Sequence, residues 1–218
     1  TWVAPAVARA ALETGVARSP IEDWDAYVAA LERRIHGKAH QVVRNLMSQA
    51  RHSSARRIVF PEAAEEKILR ACQVVMDEKI AEPVLIGDPG LIRERAARFG
   101  IELDGITIVD AHDEARCDRY AKRLFELRQR HGVTPHQARV LLSDPVYFGV
   151  MMVERGEADG LVAGLNRSYP DTIRPALQIV QLKAGVRRVA GMYCVIVRDR
   201  ILFFADATVN IEPSPEEL

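Results

Sequence analysis

Residues 158–180 read Ala-Asp-Gly-Leu-Val-Ala-Gly-Leu-Asn-Arg-Ser-Tyr-Pro-Asp-Thr-Ile-Arg-Pro-Ala-Leu-Gln-Ile-Val. Gly160 to Gly164 has the pattern of a short apolar strand that ends on a glycine. A polar turn of Asn166, Arg167 and Ser168 follows, and then a helix. Pro175 has no N–H and sits comfortably in a first helical turn, which predicts Asp171 or Thr172 near the N-cap. On that reading Arg174 lies inside a turn that helix polarity already makes positive, with Arg167 just before it. Strand, glycine turn, free helix N–H groups and two guanidinium groups then make an anion site at the carboxyl end of a strand, with phosphate as the guest. The alternative is that both arginines pair with Asp159, Asp171 or a neighbouring subunit.

The rest of the chain supplies the frame for such a site. The rhythm from Arg57 onward alternates strand and helix: strands at 58–60, 84–86, 106–109 and 160–164, and helices at 64–79, 89–99, 114–131, 135–142, 145–156 and 172–182. Two helix starts carry clear caps, Thr134-Pro135 with Gln137 three residues on, and Asp144-Pro145. Strands at about 187–197 and 200–205, joined through Arg198-Asp199-Arg200, predict a hairpin. The fold class that follows is α/β, a three-layer α/β/α arrangement with a mostly parallel sheet. An all-helical N-terminal segment precedes it. Residues 3–14 form one helix there, and Ser19-Pro20-Ile21-Glu22 opens a second with a capping box. The basic stretch 36–56, with His36, His40 and His52, reads as a linker that Val42, Val43, Leu46 and Met47 could make helical in part.

Composition excludes some functions. Among 218 residues, Lys+Arg and Asp+Glu number 30 each, so no general attraction to nucleic acid follows. No apolar run approaches the roughly 18–20 residues that span a membrane. Cys72, Cys117 and Cys194 have no ligand spacing and predict reduced, buried thiols in a cytosolic protein. No Walker motif and no G-x-G-x-x-G opening a helix is present. His112-Asp113 reads as a loop pair, and Met151-Met152 as core. Ser214-Pro215-Glu216-Glu217 has the grammar of a helix start, which predicts a fragment of a longer protein.

Four runs carry a resemblance: Arg-Ile-Val-Phe-Pro-Glu (57–62), Ala-Asp-Gly-Leu-Val-Ala-Gly (158–164), Asp-Thr-Ile-Arg-Pro-Ala-Leu-Gln (171–178) and Phe-Ala-Asp-Ala-Thr-Val-Asn (204–210). With them, residues 57–218 resemble the first part of a phosphate acetyltransferase (phosphotransacetylase) domain. Residues 3–34 resemble the C-terminus of a malic-enzyme catalytic domain, and the order is that of the hybrid bacterial NADP-dependent malic enzymes. The resemblance implies four segments: malic-enzyme helices at 1–35, a linker at 36–56, a first phosphotransacetylase-like subdomain at 57–148, and the start of a second at 149–218. It also implies a parent that decarboxylates malate oxidatively with NADP and Mg²⁺ or Mn²⁺, whose catalytic and metal residues lie upstream of Thr1. The phosphotransacetylase-like part would be a regulatory, self-associating module that binds acetyl-CoA or acetyl phosphate. Asn166, Arg167, Ser168, Thr172 and Arg174 would contact phosphate or CoA, with Asn210 as a weaker addition. An active phosphate acetyltransferase and a purely structural dimerisation module are the alternatives.

Overall fold

The computed structural model describes residues 3–180, 182, 185–186, 188–197, 200–210 and 214, the side chains of 32–41 excepted. Residues 49–184 form one compact unit, and residues 1–48 with 185–218 form another.

The first unit is built on four parallel strands: β1 (Arg57–Phe60), β2 (Glu82–Ile86), β3 (Thr107–Val109) and β4 (Gly160–Leu161), in the order β3-β2-β1-β4. The helices are α3 (Glu66–Asp77), α4 (Pro89–Phe99), α5 (Glu114–Arg128), α6 (Pro135–Leu142), α7 (Pro145–Glu154) and α8 (Tyr169–Ile179), numbered after α1 (Val3–Glu13) and α2 (Trp24–His52), which precede β1 in the chain. Side chains alternate along a strand, so Val59, Val84 and Ile86 enter one core with α5–α8, whereas Phe60 and Leu85 enter a second with α3 and α4. Strands buried on both faces read as continuous apolar runs, as 58–60 and 84–86 do. The α/β/α layering expected from the sequence is therefore present. Cys72 sits in the second core, where burial pushes its thiol up to about 12, which makes it a packing residue.

Helix α7 is apolar nearly all round, with every residue from Val146 to Met152 buried. It comes so close to the sheet because Gly149 has no side chain. A Cβ there would lie 2.6 Å from Leu161 Cδ1, 3.0 Å from Val59 Cγ1 and 3.2 Å from Ile86 Cδ1. Leu161 can turn aside, but Val59 is β-branched and fully buried. Gly149→Val should therefore cost about 3 kcal/mol, read as a lowered urea midpoint with the slope unchanged. A midpoint equal to the original would show that the helix can back away freely.

In the other unit α1 (Val3–Glu13) has no buried residue, and Arg9 lies over the Trp24 ring at 4.8 Å. Helix α2 runs from Trp24 to His52. The capping box expected at Ser19–Glu22 does not start it: Asp23 does, accepting the Ala26 N–H at 2.9 Å. Nor does it end at 35. Ala, Gln, Arg, Leu and Met are good helix formers, and they carry the helix through much of the stretch read as a linker. Strands β5 (Met192–Val197) and β6 (Arg200–Ala205) pair antiparallel as expected. Arg198 and Asp199 of their turn, the 215–217 helix start, and the side chains of His36 and His40 lie outside the described residues. Cys194 is exposed on β5 and Cys117 half-buried on α5, so only Cys72 matches the expectation of buried thiols.

Candidate functional site

The strand order fixes where a ligand cleft belongs. From β1 the chain moves outward to β2 and β3, then returns to place β4 on the opposite side of β1. Parallel sheets of this kind open a crevice at the carboxyl ends of the two strands flanking that reversal, here β1 and β4.

The chain leaves β1 as Pro61-Glu62 and leaves β4 as Gly164-Leu165-Asn166. Gly164 has a φ of 110°, a conformation that L side chains rarely adopt, and the turn it makes points three successive N–H groups at one spot. That spot holds Glu62. Its Oε2 accepts from Gly164 N–H at 2.8 Å and Leu165 N–H at 2.9 Å, and its Oε1 accepts from Asn166 N–H at 2.7 Å. Burial raises the Glu62 carboxyl, but the three N–H groups and the nearby Arg167 together outweigh it and hold the group below the ordinary glutamate range.

Helix α8 starts earlier than the sequence suggested. Its N-cap is Ser168, whose Oγ accepts the Asp171 N–H at 3.4 Å and donates to Asp171 Oδ2 at 2.6 Å. The first-turn proline is Pro170, and Pro175 lies inside the helix with its ring buried. Arg174 consequently falls in the second turn, and the acidic first-turn residue is Asp171, as helix polarity favours. The helix start by itself is therefore not an unbalanced positive spot.

Of the sequence-derived site residues, Asn166 and Arg167 line a cleft of about 300 Å³. Pro61, Glu62, Glu65, Asp88 and Pro145 line it too. Arg167 Nη1 meets Asp144 Oδ2 at 2.7 Å, while Asp144 Oδ1 caps α7 through the Val146 N–H at 2.8 Å. Ser168 is a cap, and the Thr172 hydroxyl donates to the Ser168 carbonyl at 3.1 Å. Among the described residues Arg174 has a single, exposed ion pair, to Asp171 at 3.5 Å, and remains the more available cation. It also lies within electrostatic reach of the buried Tyr147, whose hydroxyl donates to Gln178 Oε1 at 2.7 Å.

Asn210 belongs to the hairpin unit. Its amide donates to the Val189 carbonyl at 2.9 Å and to Asp206, which also accepts from the Gly191, Val209 and Asn210 N–H groups. The Asn210 amide and those N–H groups hold the Asp206 carboxyl below the usual range. Both roles visible for Asn210 are structural. Asp159 pairs with Arg56 and Arg57 rather than with either site arginine. Among the described residues no group of three or more His, Cys, Asp or Glu could hold a metal ion, and no helix is long and apolar enough to cross a membrane.

Sequence reading missed Glu62. The available signal was a carboxylate two residues beyond the end of β1; seeing what it does required knowing that β4 returns beside β1, 102 residues later.

Comparison with known proteins gives the chain a family and agrees with its fold. The phosphate acetyl/butaryl transferase family model matches residues 41–218. The phosphate acetyltransferase of Nitratidesulfovibrio vulgaris is 38% identical over 80% of this chain and 25% of its own length. The NADP-dependent malic enzyme of Escherichia coli is 35% identical over 99% of this chain and 29% of its own. A Streptococcus pyogenes phosphotransacetylase structure superposes with a TM-score of 0.72 at 32% identity, covering 80% of this chain and 54% of that one. The chain thus spans about a quarter of those two relatives and about half of the solved structure. On sequence and fold together, it belongs to the phosphate acetyl/butaryl transferase family.

Proposed function

We propose that the chain is part of a cytosolic, self-associating NADP-dependent malic enzyme, in which it forms an acetyl-CoA-sensing, phosphotransacetylase-like module. The observation that carries this reading is the extent of similarity. The malic-enzyme relative aligns over 99% of the chain, including the helices before residue 41, whereas the phosphotransacetylase relative aligns over 80% and the family model begins at 41. The activity this module would regulate is the oxidative decarboxylation of malate to pyruvate with NADP and Mg²⁺ or Mn²⁺.

Regulation at a distance requires acetyl-CoA to bind two conformations unequally, and the coupling is then reciprocal. Arg174 is the residue best placed for a phosphate or pyrophosphate group of CoA, because the ion pair it makes among the described residues is exposed and long, at 3.5 Å. In the whole protein acetyl-CoA should lower malate-dependent reduction of NADP, assayed beside NAD. Arg174→Ala should raise the half-inhibitory concentration about tenfold, the loss of one charge-assisted hydrogen bond. Inhibition unchanged by that substitution removes Arg174 from the site, and no inhibition at all removes the sensing role.

The family match itself favours a second reading, an active phosphate acetyltransferase. Formation of acetyl-CoA from acetyl phosphate and CoA by the whole protein separates the two. A chain that self-associates but binds neither acetyl-CoA nor acetyl phosphate in calorimetry would be a structural module only.

A further inference from the structure

The three N–H groups of Gly164, Leu165 and Asn166 converge as backbone nests that bind phosphate and carboxylate do. Here the occupant is the chain's own Glu62, at 2.7–2.9 Å from all three donors. We propose that this loop is an oxyanion seat with a built-in competitor: Glu62 fills it in the resting chain, and an external phosphate or carboxylate group takes the seat when Glu62 swings out.

The surroundings permit that exchange. Glu62 is only half-buried, and its side chain borders the cleft of about 300 Å³ that Asn166 and Arg167 also line. A displaced Glu62 keeps access to water and stays near Arg167, so neither charge is stranded in an apolar interior. The seat lies immediately before Arg167 and the Ser168 cap, so emptying or refilling it acts on the segment that carries them. The competitor sets a threshold: an anion must offer more than an intramolecular carboxylate already gives. The inference stands on the loop geometry and does not depend on acetyl-CoA being the physiological ligand.

Removing the competitor tests it. The chain carrying Glu62→Ala, with Glu62→Gln as a second variant that keeps one acceptor oxygen, is titrated with inorganic phosphate at constant ionic strength. Amide signals of Gly164, Leu165 and Asn166 are followed by NMR. In Glu62→Ala phosphate should shift those three amides saturably, with half-saturation at least roughly tenfold lower than in the unchanged chain, and formate should do the same. Glu62→Gln should respond in between, and carries the test if the alanine variant does not fold. The proposal is overturned if neither variant gains the response, if the unchanged chain responds equally, or if the shifts spread over the surface instead of centring on these amides. Acetyl-CoA inhibition of malate oxidation is a separate readout, so failure there leaves the seat standing, and failure here leaves acyl-CoA sensing standing.

Discussion

Phe148→Ala should lower the unfolding free energy of the 49–184 unit by about 4 kcal/mol. Phe148 has no exposed surface and lies in the core beneath β1 and β2. Its ring meets Tyr120 edge-on, with centroids 5.1 Å apart and planes at 61°, a geometry that contributes about 1 kcal/mol beyond area. The cavity cannot collapse easily, because Gly149 already brings α7 as near to the sheet as its neighbours allow. Guanidinium unfolding followed by circular dichroism at 222 nm measures the loss. Phe148→Leu, which keeps most of the volume, should cost less than half as much. A loss below about 1 kcal/mol for the alanine variant would mean that α7 is not the centre of this core.

The second large effect is acid sensitivity at Glu62. Its folded carboxyl lies below the ordinary value of 4.5, because three N–H groups and Arg167 together outweigh the burial that raises it. A depressed carboxyl contributes stability that is fully present above the unfolded value and is lost as pH falls through the folded one. Glu62→Gln imitates the protonated group, and its missing acceptor should cost about 2 kcal/mol at neutral pH. That gap between the two proteins, read from urea midpoints, should hold down to about pH 5 and then close as the solution is acidified further. A gap independent of pH would show that the carboxylate charge contributes nothing to the loop.

Much of the fold is legible in the sequence wherever a local signal settles the matter. Thr134-Pro135 and Asp144-Pro145 are cap and first-turn proline together, and α6 and α7 begin where they say. Thr134 and Gln137 form the reciprocal capping box their spacing predicts. Asp113, read as a loop residue, caps α5, and Met151 and Met152 are core. Competing local signals misled. The sequence reading takes Pro175 as the first-turn proline of α8, whereas Pro170, with Ser168 before it, holds that place. Ser19-Pro20 had the better cap grammar, yet Asp23 starts α2. The candidate site was legible only in part, because its central contact is non-local. Arg167, Ser168 and Arg174 announce themselves within eight residues, whereas the carboxylate that fills the turn comes from the far end of a different strand.

Val59 and Phe60 are adjacent in the chain and strangers in packing, since each points into a different core. The sheet between them works as a bulkhead. Residues on its two sides share few neighbours, and substitutions without shared partners combine nearly additively. Repacking this protein is therefore two modest combinatorial problems instead of one large one, and sequence drift above the strands can proceed with little regard for what has changed below.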